Sequence, residues 1–238
     1  RKHDSQKLPH GTPVDIEHGH IYRMGELEVR ARLQAVPVAP QGLIPDDAFL
    51  ELGGSDADCH TDDLLDALTA RVSQLTAGNQ LDEQTNVGPL VRERDAQRVE
   101  EWLGQAQRDG AELHCGGKRN GAVIQPAVLA NVRSDMRMSC EELFGPAVGV
   151  TRAESIDDAI HLANDSRFGL SAAVFTQDID KAIRFAREVD SGNLHINFGT
   201  AWRAETMPYG GLKDSGMGKE GPKYAIEEMT ETKMVVIH

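Results

Sequence analysis

The chain has 238 residues, 39% hydrophobic and 26% charged, with 25 Lys and Arg against 38 Asp and Glu and a formal net charge of −13. This is the balance of a soluble globular protein of one large or two small domains. It argues against nucleic acid as a partner, since that affinity comes largely from phosphate neutralisation by a basic surface. No apolar run approaches a membrane span. The basic start Arg1-Lys2-His3-Asp4 lacks the apolar stretch of a secretory leader and an initiating Met, so a processed or partial chain is expected. Three Cys at 59, 115 and 140 are too few and too widely spaced for a disulfide framework or a zinc site. They suit a reducing, cytoplasmic compartment.

Residues 1–48 differ from the rest. Leu27, Val29, Ala31, Leu33 and Ala35 alternate with Glu28, Arg30, Arg32 and Gln34, the period of a half-buried strand. Pro37, Pro40, Gly42 and Pro45 then mark a linker. His18 and His20 lie two apart and, with His10 or His3, have metal-ligand spacing. A solvent-exposed pair is the preferred reading, and no metal site is assigned.

From Thr61, read as an N-cap, a helical stripe of Leu64, Leu65, Leu68, Val72 and Leu75 runs to a stop at Gly78. A second helix is expected over Arg92–Arg108, with Ala96, Val99, Leu103 and Ala106 on one face and Gly110 beyond. Strands follow at Ala111–Cys115, Val123–Val132 and Ala147–Thr151. Ser155 opens a helix through Ala163, with Asp158 three residues after the cap. A strand at Gly169–Thr176, a helix at Ile179–Val189 and a strand at Asn193–Phe198 complete βαβ units and predict a mainly parallel sheet with flanking helices. Pro222 begins a last helix through Met229, and Lys233–Ile237 ends the chain as a strand.

Several motifs stand in one order: Glu51-Leu52-Gly53-Gly54, Asn86-Val87-Gly88-Pro89-Leu90, Glu141-Glu142-Leu143-Phe144-Gly145-Pro146, Leu162-Ala163-Asn164-Asp165, Phe168-Gly169-Leu170, Tyr209-Gly210-Gly211-Leu212-Lys213 and Ser215-Gly216. Together they make residues 49–238 resemble the catalytic domain of the aldehyde dehydrogenases. The resemblance implies an α/β fold with a terminal oligomerisation-type strand. It implies NAD(P)-dependent oxidation of a small aldehyde to a carboxylic acid, in which a thiolate attacks the aldehyde and a water hydrolyses the thioester.

Residue by residue, Glu51 matches the family's general base. Glu142 matches the glutamate that accepts from the nicotinamide-side ribose hydroxyls, and Phe144 the aromatic behind that ribose. Tyr209 matches an aromatic of the substrate tunnel. Arg203, in Trp202-Arg203-Ala204-Glu205-Thr206-Met207, resembles an anion-binding arginine of members acting on lactaldehyde, phosphonoacetaldehyde or glyceraldehyde 3-phosphate. Each has a plainer alternative: a salt-bridged Glu51, a purely structural loop at 141–146, a core Tyr209 and a surface ion pair at Arg203. Lys233–Ile237 matches the strand that members add to a neighbouring subunit, so a homo- or hetero-oligomer is expected, with pairing inside the chain as the alternative.

The sequence departs from the family pattern in two places. No Gly-Gln-x-Cys nucleophile is present, and 35 residues lie between Glu51 and Val87, as though a segment near 57–61 had been removed. Cys59 is the cysteine of that interval, but Asp56 and Asp58 beside it raise a thiol pKa, so it is a poor nucleophile. Cys115 and Cys140 are read as packing residues. The strands and Gly-rich turn of a dinucleotide-binding domain are also missing, so Glu142 and Phe144 would hold one end of a cofactor. Weak or no activity of this chain alone follows as the expectation. The alternative is a non-catalytic partner of a full-length dehydrogenase.

Overall fold

A four-stranded sheet forms the centre of the structure, with strand order β3-β8-β7-β4. The computed structural model describes residues 61–238 in full and, before them, only the backbone of residues 14–16, 19–21, 30–32 and 60. The elements in chain order are β1 (Val14–Ile16), β2 (Gly19–Ile21), β3 (Arg30–Arg32), α1 (His60–Val72), α2 (Glu93–Arg108), β4 (Glu112–Cys115), β5 (Arg119–Asn120), β6 (Val123–Ile124), β7 (Ala127–Ala130), α3 (Arg137–Cys140), β8 (Ala147–Thr151), α4 (Ile156–Asn164), β9 (Phe168–Gly169), β10 (Ser171–Val174), α5 (Ile179–Glu188), β11 (Asn193–Ile196), β12 (Leu212–Lys213) and α6 (Pro222–Glu228).

The sheet is mixed. Its central pair β7–β8 is parallel, while β3 and β4 flank it antiparallel. All four residues of β7 are buried, as expected of a strand covered on both faces. Val128 and Ala130 point to one face and pack with Leu65 of α1 and Val148 and Val150 of β8. Ala127 and Leu129 point to the other and pack with Val99, Trp102, Leu103 and Ala106 of α2. Successive side chains on a strand alternate faces, so one apolar tetrapeptide serves both layers. A second parallel pair, β10–β11, is joined by α5 in a βαβ unit. Its own small core holds Ile160, Phe185 and Val189.

The α/β reading holds, though among the described strands parallel pairing is confined to β7–β8 and β10–β11 rather than prevailing as expected; α2 keeps every expected buried position with Trp102 added. Ser155 caps α4 by accepting from the Asp158 N–H, and Asp158 returns the favour at the Glu154 N–H. Four expectations are corrected. Thr61 is not an N-cap, since α1 already starts at His60 and Thr61 is buried in its first turn. The strand expected over 123–132 is split at Pro126, which has no N–H for a ladder. The strand expected over 169–176 divides at Leu170, because Gly169 pairs with β12 while Ser171 begins pairing with β11. Lys233–Ile237 is not a strand within the described chain. Met234, Val235, Val236 and Ile237 are 67–91% exposed there. The one-turn helix α3 was not anticipated, because four residues are too few to show a period.

Candidate functional site

The loop after α3 is built by alternation. Leu143 is 1% exposed and anchors in the core beside Val99, whereas Phe144 is 57% exposed. Phe144 takes φ 45°, in the left-handed region that a bulky residue rarely enters. The conformation is held from both sides. Leu143 is locked in the core, and Gly145 lies so close to α2 that a Cβ there would meet Val99 Cγ2 at 2.6 Å. Pro146 then accepts from the Ala127 N–H and seats the start of β8 beside β7. The outcome is a shelf with the Glu142 carboxylate and the Phe144 ring turned outward.

A second group of residues gathers near the C-terminus. Tyr209 and Glu220 exchange backbone hydrogen bonds in an isolated antiparallel bridge. Arg203 donates from Nη1 to Glu220 Oε2 at 2.6 Å, and its guanidinium carbon lies 4.9 Å from the Tyr209 ring centroid. The hydrogen bond to Glu220 holds the guanidinium still more firmly in its charged form. Arg203 is therefore ion-paired, as its plainer alternative expected, and it is stacked on an aromatic as well. Tyr209 is half-buried. Trp202 meets Phe198 and His195 edge to face, at centroid distances of 5.9 and 6.4 Å. His195 is 8% exposed, and its Nε2 has no hydrogen-bond partner. Burial pushes its pKa below the usual imidazole value.

The turn between α4 and β10 lies between these groups. Lys213 Nζ donates to the carbonyls of Asn164 and Ser166, and the Gly169 N–H donates to Ser215 Oγ. Asn193 Nδ2 donates to the carbonyls of Leu170 and Gly210. Gly192 must be glycine, because a Cβ there would sit 1.8 Å from the Gly210 carbonyl oxygen. These contacts tie the Tyr209–Gly216 motif to the βαβ unit.

Of the residues singled out in the sequence, Glu142 and Phe144 share one shelf, and Arg203 and Tyr209 share one cluster. Glu51 and Cys59 lie outside the described residues, as do His3, His10 and His18. Cys115 packs against the α1 side of the core, and Cys140 Sγ lies 3.8 Å from the Asp135 carbonyl. Among the described residues, no group of three or more His, Cys, Asp or Glu is placed to hold a metal. A surface depression of about 500 Å³ by Gly78, Asn79, Lys118, Asn120 and Gln125 includes none of the site residues. Sequence reading missed Glu220, the partner of Arg203. Its signal, a lone carboxylate 17 residues downstream, becomes visible only once the bridge folds the two together.

Residues 58–235 match the model of the aldehyde dehydrogenase family, so the chain belongs to that family. The match begins downstream of Glu51. Over 171 residues the chain is 48% identical to a 3-sulfolactaldehyde dehydrogenase of Priestia aryabhattai, covering 72% of this chain and 36% of the relative. Over 181 residues it is 43% identical to a lactaldehyde dehydrogenase of Methanococcus vannielii, covering 74% and 39%. Among solved structures, an aldehyde dehydrogenase from Physcomitrella patens in complex with the product succinate aligns with a TM-score of 0.72 at 36% identity, over 74% of this chain and 37% of that one. The glyceraldehyde-3-phosphate dehydrogenase of Methanocaldococcus jannaschii, complexed with NADP, gives 0.68 at 38%, over 71% and 36%. A Mycobacterium tuberculosis aldehyde dehydrogenase complexed with NAD+ gives 0.67 at 35%, over 72% and 36%. The chain thus spans little more than a third of the length of these relatives.

Proposed function

We propose that these residues form the C-terminal part of a site for NAD(P)-dependent oxidation of a small aldehyde to its acid. The carrying observation is the shelf at 142–145. It offers an exposed carboxylate and an exposed aromatic ring on a backbone fixed by Leu143 and Gly145. That donor set fits one end of a nicotinamide cofactor. A carboxylate only accepts, which suits a ribose diol, and an aromatic face suits a flat heterocycle. Glu142 and Phe144 are the residues that would hold it. When bound, it supplies the acceptor for the hydride leaving the substrate.

Tyr209 forms a wall for the aldehyde, and Arg203 selects an anionic or hydroxylated tail. An anionic group must compete with Glu220 for the guanidinium. The lactaldehyde and sulfolactaldehyde relatives favour short 2-hydroxy aldehydes of this kind. Glu51 serves as the base that deprotonates the hydrolytic water. Cys59, preceded by Asp56 and Asp58, is not the nucleophile, so these 238 residues alone turn over weakly or not at all. We divide the chain into an N-terminal segment of residues 1–48 and a family domain of 49–238 shortened near 57–61. The protein is assigned to the cytoplasm. Among the described residues, no helix is long and apolar enough to cross a membrane.

The test is reduction of NAD+ and NADP+ by the purified chain over lactaldehyde, sulfolactaldehyde and neutral aldehydes, beside Cys59→Ser and Arg203→Ala variants. Little or no turnover is expected. Clear turnover that Cys59→Ser abolishes would overturn the assignment of Cys59. In that event, a preference for anionic aldehydes that survives Arg203→Ala would overturn the role of Arg203. A second reading rests on the exposed apolar run Met234–Ile237: the chain acts as a non-catalytic partner that joins other subunits of the family.

A further inference from the structure

We propose that Arg167 is a positioning residue that fixes the Glu141–Phe144 shelf against the C-terminal motif. The proposal rests on the reading of Glu142 and Phe144 as cofactor-facing. Arg167 sits in the turn between α4 and β9. Its Nη2 lies 3.2 Å from Glu141 Oε2, and its Nε lies 3.8 Å from Asp214 Oδ2. The guanidinium carbon stands 4.9 Å from the centroid of Phe168, so the ring supports the side chain between the two carboxylates. The backbone of Arg167 is fixed independently: its carbonyl accepts from the Asp214 N–H, and Phe168 pairs with Lys213 in β9–β12.

The shelf needs such a tie at one end only. Its far end is clamped by Leu143 and by the contact of Gly145 with Val99. Its near end follows α3, a single turn, where the Glu141 N–H donates to the Arg137 carbonyl. Glu141 and Glu142 are adjacent carboxylates. Arg167 neutralises the first, which leaves the second free to accept from a ligand and lowers the repulsion between them. A planar guanidinium can face two carboxylates from different edges; an ammonium acts as a point charge and cannot hold both in the same way.

Because the pairs are largely exposed, removing them should barely change global stability. The local effect is the readout. Amide hydrogen exchange of the purified chain should rise about two- to fivefold at Glu142–Phe144 in Arg167→Ala, the range an exposed ion pair supports. Exchange in β7 and β8 should stay unchanged, and Arg167→Lys should fall between wild type and Ala. Unchanged protection at 142–144 overturns the proposal. NAD+ titration, followed by ligand-detected NMR, is run in parallel with Glu142→Ala as reference. Weaker binding in both variants supports the proposal, whereas weaker binding in Glu142→Ala alone overturns it. If Glu142→Ala changes nothing, the cofactor reading of the shelf fails, and the exchange data still decide whether Arg167 fixes the loop.

Discussion

At Phe144 the chain accepts a left-handed backbone with a bulky side chain, an arrangement that survives only where its neighbours over-determine it. Gly145 is the neighbour most easily tested. Gly145→Ala places a methyl against the Val99 side chain with no flexible end to yield, so either α2 or the shelf must move. We expect destabilisation of about 1–3 kcal/mol by chemical denaturation, the usual range for overpacking, together with altered amide shifts at Glu142–Phe144. His195 gives a second prediction. Its imidazole is buried and neutral, with a pKa below 6.5. The unfolded chain takes up a proton near 6.5 while the folded chain resists it, so stability is lost as pH falls from there toward the folded pKa. Urea midpoints measured between pH 7.5 and pH 5 should show this decline, and His195→Gln should flatten the part of it that His195 causes. Phe144 sits in a recognisable motif and His195 in an expected strand, yet neither the positive φ nor the burial was legible beforehand. Each depends on what packs opposite.

Among the elements, β7 carries the most burial per residue. Leu129 is fully buried on the α2 face. Leu129→Ala removes those contacts and leaves a cavity that α2 and β8 cannot readily close. It should cost about 2–5 kcal/mol, read as a lower denaturation midpoint with an unchanged slope. The helices α2, α4 and α5 were visible in sequence because 9 to 16 residues display a full apolar stripe with caps. The strands were located but not correctly cut. Pro126 and Leu170 interrupt runs that look continuous in composition, and where a ladder breaks depends on which neighbour each residue meets.

At the scale of the whole molecule, a single chain leaves apolar surface exposed. The tail Met234–Ile237 is the clearest case, since an unpaired apolar strand former favours pairing with another chain. Deleting residues 233–238 should shift the chain to a smaller species in sedimentation velocity and leave the urea midpoint of the α1–β8 core nearly unchanged. A full-length and a shortened chain of the same mass class would argue that the tail pairs with nothing. The length of the relatives bears on activity in the same way. The chain spans 36% of the sulfolactaldehyde dehydrogenase it resembles, and the weak or absent turnover proposed above rests in part on that share.

The sequence by itself determined the family, the α/β class and the helical faces, and it singled out Glu142 and Phe144 as candidates. Local periodicity and ordered motifs are properties of neighbouring residues and can be read along the chain. Tertiary structure alone decided that Arg203 pairs with Glu220, that Gly145 must leave room for Val99, and that Arg167 reaches both Glu141 and Asp214. Those contacts join residues 17, 46, 26 and 47 positions apart. Their existence depends on the folded path that brings distant backbone within a few ångströms, which no local pattern encodes.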